Sequence, residues 1–152
     1  MLAYALDDAY VTVQRQANFT LFEREAHRLI QSGATPDEIC AAYLDNLRDQ
    51  FGDAVDVADE FRWEWISIPH FYATPFYTYA YSFGQLLVLA LYEQYKREGE
   101  AFVPRYVKLL SYGGSAEPYR VLQEAGFDVA SPEFWQGAYD ALTAMLAELE
   151  AL

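Results

Sequence analysis

Helix-start signals recur along this chain and constrain its fold more than any other feature. Thr35 is followed by Pro36 and, three residues after the threonine, by Glu38, a pattern that combines an N-cap, a proline in the first helical turn and a capping box. Thr74-Pro75 and Ser131-Pro132 repeat the cap and the proline. No segment shows the strict apolar alternation typical of a strand, so the sequence predicts helices.

The predicted architecture is therefore all-α, a bundle of about five to six helices in a single domain over residues 1–152. Apolar residues recur three to five positions apart from about Leu6 to Gln31, which predicts a long first helix. Weak periodicity after Gly52, ending at Pro69, predicts a structured loop before a tyrosine-rich helix. Because that helix is apolar on nearly all faces, we expect it to be buried. The predicted helices are 6–31, 36–51, 74–95, 100–110, 116–124 and 131–150.

Charge and composition exclude several classes of function. The chain has 23 acidic and 10 basic residues and a net charge of −13, without the basic cluster that phosphate binding needs, so we expect no nucleic acid partner. The longest apolar run, Leu86 to Leu91, is too short for a membrane span. Asp7 and Asp8 interrupt the first apolar stretch, so no signal peptide is predicted. We expect a cytoplasmic protein in which the single cysteine, Cys40, is a buried, inert thiol.

The sequence offers no convincing metal or phosphate site. His27 follows Glu23 by four residues, but helical carboxylate-metal sites use a three-residue spacing in two copies, so we interpret this pair as structural or as part of the surface. The diglycine Gly113-Gly114 lacks the Lys-Ser or Lys-Thr of a phosphate loop. A group of acidic residues without calcium-loop spacing indicates a solvated surface; its members are Asp53, Asp56, Asp59 and Glu60.

One stretch, from His70 to Tyr81, concentrates groups that can hold a peptide. Its histidine stands beside several tyrosines, and imidazole and phenol groups are directional donors for a carbonyl or for the oxyanion that forms from it. Tyrosines at helical spacing also serve as core residues whose hydroxyls reach water or backbone. Composition alone leaves both interpretations open.

The same stretch resembles the substrate-side signature of the oligoendopeptidase F branch of the thimet oligopeptidase family, which are zinc metallopeptidases. The residues that carry this resemblance are His70-Phe71-Tyr72-x-x-Pro75-Phe76-Tyr77-x-Tyr79-x-Tyr81. Further segments resemble that family in the same order along the chain: Arg15-Gln16-x-x-Phe19-x-x-Phe22-Glu23 with His27, Leu109-Leu110-Ser111-x-Gly113-Gly114-Ser115-x-x-Pro118, Gly126-Phe127-Asp128 and Pro132-x-Phe134-Trp135. The resemblance extends over essentially the whole chain.

The resemblance implies roles for individual residues. His70 and one or two tyrosines would hold the substrate backbone and stabilise the tetrahedral oxyanion, with Tyr79 our first choice as the catalytic donor and Tyr77 our second. The implied substrate-binding residues are Tyr72, Phe76, Tyr81, Gly113 and Gly114.

The family's zinc site is the main departure from the pattern. In that family a His-Glu-x-x-His helix and a downstream glutamate bind zinc, whereas His27 is followed by Arg28 and His70 by Phe71. We therefore expect no metal ligands in this chain, although zinc belongs to the intact family. Without zinc-bound water and its general base there is no nucleophile, so the isolated chain is expected to be inactive.

Three hypotheses about function follow. In the first, the chain is the C-terminal, substrate-binding part of an oligoendopeptidase-F-like enzyme that acts on short peptides. In the second, it is a stand-alone peptide-binding or scaffold module. In the third, a separate metal-binding chain docks on it and completes an enzyme. Loss of an upstream part would expose an aromatic surface, so we also expect self-association or a partner chain.

Overall fold

The computed structural model describes all 152 residues and is all-α, as predicted, with no strand. Its eight α-helices exceed the predicted five to six. A π-helical segment, Tyr10–Arg15, joins the first two helices, and 3₁₀ segments occupy Gly52–Ala54, Asp59–Ser67 and Gly99–Ala101. The helices are α1 (Leu2–Ala9), α2 (Gln16–Gln31), α3 (Pro36–Phe51), α4 (His70–Ala73), α5 (Tyr79–Glu98), α6 (Val103–Ser111), α7 (Pro118–Glu124) and α8 (Pro132–Glu150). None of these helices is long and apolar enough to cross a membrane.

The chain divides into two compact units. One comprises Asp7–Phe83, and the other comprises Met1–Leu6 together with Gly84–Leu152. We call them the histidine unit and the C-terminal unit. The single domain over residues 1–152 stays a prediction.

The core of the histidine unit lies between α2 and α3. Thr35 starts α3 as predicted, because its hydroxyl accepts a hydrogen bond from the Glu38 amide while the Glu38 carboxylate accepts one from the Thr35 amide at 2.7 Å. The apolar face of α3 packs on α2. The buried members of the core are Phe19, Phe22, Ala26, Ile39, Tyr43, Leu44, Leu47, Val57 and Ile68.

The predicted structured loop forms 3₁₀ turns, of which Asp59–Ser67 is the longest. Glu64 fixes this segment to the core: its Oε1 lies 2.6 Å from Arg15 Nη2, and its Oε2 accepts a hydrogen bond of 2.8 Å from the Tyr43 hydroxyl. Burial, assisted by Glu64, raises the pKa of Tyr43 well above its ordinary range.

The tyrosine-rich helix begins later than predicted, so Thr74-Pro75 is not its start. Thr74 instead ends the short helix α4, and Phe76 adopts a positive φ of 58°, which no right-handed helix allows. Helix α5 begins only at Tyr79. The prediction that this helix is buried on most faces is also wrong, since Val88 and Tyr92 are more than half exposed.

The predicted first helix, 6–31, begins at Leu2 instead and consists of α1, the π-helical segment and α2 in succession. The Ser82 hydroxyl of α5 donates a hydrogen bond of 2.8 Å to the Val13 carbonyl within that segment. A contact 69 residues away in sequence thus adds a second hydrogen bond to a carbonyl that already accepts the Gln16 amide.

Aromatic residues form the centre of the C-terminal unit. The Phe127 ring lies 5.6 Å from that of Phe102 and 6.5 Å from that of Phe134. Helix α8 starts at the predicted Ser131-Pro132, where the serine hydroxyl accepts a hydrogen bond from the Glu133 amide. Helices α6 and α7 begin two or three residues later than predicted, at Val103 and Pro118.

Candidate functional site

Three of the predicted site residues come together in the histidine unit. His70 Nε2 lies 3.1 Å from the hydroxyl oxygen of Tyr81, and the two rings are nearly perpendicular. The Tyr77 ring contacts the Tyr81 ring edge-on, with 5.4 Å between centroids. We call His70, Tyr77 and Tyr81 the histidine-tyrosine cluster.

Local structure explains the position of His70. It is the first residue of α4, and the following residue, Phe71, packs against the core rings of Phe19 and Phe22 at 5.5 and 5.4 Å. Because α4 has only four residues, the packing of Phe71 holds its neighbour His70 close to this core. Tyr81 lies in the first turn of α5, after the Thr74–Thr78 turn, and its hydroxyl contacts the His70 imidazole.

The remaining predicted residues lie outside the cluster. Tyr79 is 58% exposed and takes no part in the His70 hydrogen bond. Tyr72 stacks on Trp65 with 6.5 Å between ring centroids, and its partial burial raises its pKa. The Phe76 ring lies 4.6 Å from the His27 ring. Gly113 and Gly114 belong to the C-terminal unit, in the turn after α6.

The phenol groups of this stretch are not core residues. The exposed fractions of Tyr72, Tyr77, Tyr79 and Tyr81 range from 37% to 58%. The alternative of rings packed into a core therefore does not describe them.

The residues present do not fit a zinc ion. Nowhere do three or more His, Cys, Asp or Glu side chains lie close enough together to hold a metal. His70 faces Tyr81, and His27 faces Phe76. No reaction step of this chain can therefore be derived through a metal bound by its own side chains.

Sequence reasoning missed one residue of the site, Glu23. Its side chain is only 2% exposed, and its Oε1 accepts a hydrogen bond of 2.8 Å from the Phe76 amide. Its Oε2 is buried without a hydrogen-bond partner. Glu23 and His27 both contact Phe76. Their four-residue spacing therefore indicates a helical face that binds one common residue, and not a metal site.

Comparison with known proteins identifies the family. Residues 1–141 match Peptidase family M3. The chain belongs to peptidase family M3. This finding confirms the resemblance to the oligoendopeptidase F branch, and individual M3 relatives agree with it.

Two curated M3 relatives match the whole chain. It is 36% identical over 154 residues to "Oligopeptidase PepF" of Bacillus subtilis and 31% identical over 157 residues to "Oligoendopeptidase F, plasmid" of Lactococcus lactis subsp. cremoris. The crystal structure of oligoendopeptidase-F from Enterococcus faecium superimposes on 99% of the chain with a TM-score of 0.89 and 30% identity.

The chain spans about a quarter of the length of these relatives. It covers 23% of the Bacillus protein, 26% of the Lactococcus protein and 29% of the Enterococcus chain. The match thus identifies the family and the fold of this part, and the activity of a whole enzyme is a separate question.

Proposed function

We propose that this chain is the substrate-holding part of an M3 oligoendopeptidase that hydrolyses short peptides, and that the histidine-tyrosine cluster binds the peptide backbone. The observation that carries the proposal is the hydrogen-bonded pair of His70 and Tyr81 on an exposed surface, in a chain that is related over its whole length to oligoendopeptidase F.

The chemistry of the cluster suits an amide ligand. If His70 carries its proton on Nε2 and donates it to the Tyr81 oxygen, the Tyr81 proton is free to point at a substrate carbonyl. Tyr77 adds a second hydroxyl beside it. Donors fixed in this way bind more strongly as the carbonyl oxygen gains negative charge, so the same groups that hold the peptide would stabilise an oxyanion.

The isolated chain should bind without cleaving, because its own residues provide no activated water. Zinc and a quenched fluorescent peptide added to pure protein should give no turnover. Turnover that the His70→Ala variant abolishes would contradict this part of the proposal.

Peptide binding can be measured by isothermal titration calorimetry with short peptides. Tyr81→Phe removes one hydrogen bond donor, and the affinity should fall about three- to tenfold. The matched control is Tyr139→Phe, since Tyr139 is an exposed tyrosine of α8 and lies outside the cluster. The absence of binding at millimolar peptide, or an equal loss in the control, would refute the role of the cluster.

Hydrolysis by a whole enzyme can be tested in a chimera. The matching quarter of the Bacillus relative would be replaced by this chain, and we expect peptide hydrolysis. His70→Ala in the chimera removes the group that orients the Tyr81 hydroxyl, so kcat should fall by up to about a hundredfold, the cost of losing an oxyanion donor elsewhere. An active chimera that is indifferent to this change would exclude His70 from the reaction.

Association with another chain, such as one that carries the metal ligands, is favoured by an apolar groove in the C-terminal unit. The groove encloses about 410 Å³ between α5 and α6, and its lining is Val88, Leu91, Tyr92, Tyr95, Phe102, Val103 and Tyr106. Exposed apolar concavities of this kind often become interfaces. Light scattering should show a mass above that of one chain, alone or with such a partner, and a monomer throughout would refute the proposal.

A further inference from the structure

We propose that Glu23 is a positioning residue: its buried carboxylate holds the turn before α5 so that Tyr77 stands against Tyr81. The effect on peptide binding rests on the function proposed above. The structural part of the inference does not, because it concerns only contacts within the histidine unit.

The turn needs an external support. Phe76 is the only residue other than glycine with a positive φ, and side chains disfavour that conformation unless their surroundings hold it. Phe76 immediately precedes Tyr77, so a turn that relaxed to negative φ would redirect the next side chain. The position of Tyr77 in the cluster therefore depends on what stabilises Phe76.

One face of α2 provides the support through three contacts. Thr20, Glu23 and His27 are spaced by three and four residues, so they share a helical face. The Glu23 carboxylate accepts the Phe76 amide proton, and the His27 ring lies against the Phe76 ring. These two contacts hold Phe76 through both its backbone amide and its ring.

Thr20 supplies the third contact, at the other end of the turn. Its hydroxyl lies 2.9 Å from that of Thr78, which is fully buried. Because the Thr20 hydroxyl also donates a hydrogen bond of 3.1 Å to the Gln16 carbonyl, the proton between the two threonines comes from Thr78. Both ends of the Phe76–Thr78 segment are thus fixed to the same helix, with Tyr77 between them.

The burial of Glu23 indicates that this residue positions the turn and does not stabilise the fold. A buried carboxylate is costly unless its oxygens are hydrogen-bonded, and here Oε2 has no partner. An apolar residue at this place would avoid that cost, but it would leave the Phe76 amide without an acceptor. The carboxylate is therefore explained by the one hydrogen bond that it makes to the turn.

Three variants of the full chain test the proposal. Glu23→Leu removes the acceptor, Glu23→Gln retains a carbonyl oxygen at the same reach, and Gln50→Leu is the matched control. Gln50 is another buried side chain of the histidine unit with one hydrogen bond, to the Tyr10 hydroxyl at 2.6 Å, and one buried oxygen without a partner. Its loss should affect stability without affecting the turn.

Nuclear magnetic resonance provides readouts that need no ligand. In Glu23→Leu the Phe76 amide should exchange with solvent about tenfold faster or more, and the nuclear Overhauser contacts between the Tyr77 and Tyr81 rings should disappear. Glu23→Gln should keep both features, and so should Gln50→Leu. Peptide affinity should fall about tenfold in Glu23→Leu and stay within about twofold in the other two variants.

The outcomes separate the two proposals. Ring contacts that persist in Glu23→Leu, or that disappear equally in Gln50→Leu, would overturn the positioning role. If the unmodified chain binds no peptide, the proposed function fails, while the exchange rate and the ring contacts still decide the role of Glu23. If Glu23→Leu does not fold, Glu23→Asp replaces it: its side chain is one methylene shorter and draws the carboxyl group away from the Phe76 amide, so the same losses are expected, and unchanged spectra would refute the inference.

Discussion

The hydroxyl group of Tyr43 offers the sharpest test of how the histidine unit is held together. This ring is fully buried and contacts Phe22 edge-on at 4.8 Å, while its hydroxyl donates to Glu64. Tyr43→Phe keeps the ring and removes only the hydrogen bond. Glu64 is part-exposed and retains Arg15, so no buried charge is left unpaired. We therefore expect a loss of about 1.5 kcal/mol in the free energy of unfolding near neutral pH, at the lower end of the range for bonds to charged groups.

The same substitution should reverse its effect at high pH. Burial, with Glu64 beside it, raises the pKa of Tyr43 in the folded chain, so the folded state keeps a proton that the unfolded state releases above its ordinary pKa of 10.0. The stability of the unmodified protein should consequently fall as pH rises beyond about 10, by up to about 1.4 kcal/mol per pH unit from this group. Near pH 11 this loss of about 1.4 kcal/mol offsets the roughly 1.5 kcal/mol of the hydrogen bond, and the two proteins should be about equally stable.

Urea unfolding followed by circular dichroism at 222 nm, at pH 8, 10 and 11, measures both effects. Other tyrosines titrate in the same range, so the decisive quantity is the difference between the two proteins rather than either curve. A constant difference from pH 8 to pH 11 would refute the assignment of the alkaline loss to Tyr43. No difference at pH 8 would show that the bond to Glu64 contributes nothing.

Three further predictions concern the core and one helix start of the histidine unit, with a control residue in the C-terminal unit. Leu47→Ala should lower the free energy of unfolding by about 3 kcal/mol, because this side chain is 2% exposed, whereas Leu146→Ala on an exposed face should change it by less than about 0.5 kcal/mol; similar values would contradict the assigned core. Thr35→Ala should cost about 1 kcal/mol at pH 7. The Thr35 hydrogen bonds lower the Glu38 pKa from 4.5, so this difference should shrink as pH falls below that value, and a difference that grows in acid would be evidence against the capping box. The Cys40 thiol should not react with Ellman's reagent until urea unfolds the chain, and rapid reaction of the folded protein would disprove its burial.

Local sequence signals predicted the helix starts that depend only on neighbouring residues. Thr35 and Ser131 begin helices because each side chain reaches an amide two or three residues further on. Thr74-Pro75 carries the same pattern and begins none. At this turn the Phe76 amide is bound by the Glu23 carboxylate, 53 residues away, and no window of neighbouring residues contains that information.

The candidate site was predictable to the same extent. His70, Tyr77 and Tyr81 lie within twelve residues of one another, so the motif placed them together before their contacts were known. The choice among the tyrosines was not predictable, because it depends on the late start of α5. Tyr79, our first choice as the donor, stays a prediction, while the hydrogen bond of Tyr81 with His70 emerged only from the folded chain.

The fluorescence of Trp65 can report on ligand binding beside the cluster. Its indole N–H points at the Cys40 sulfur at 3.3 Å, and its ring stacks on the exposed ring of Tyr72. A ligand that covers Tyr72 must alter the polarity around that indole, so its emission should report occupancy of the surface next to the cluster. Unlabelled peptides could therefore be screened by tryptophan fluorescence, with Trp65→Phe as the control that leaves only the emission of Trp63 and Trp135.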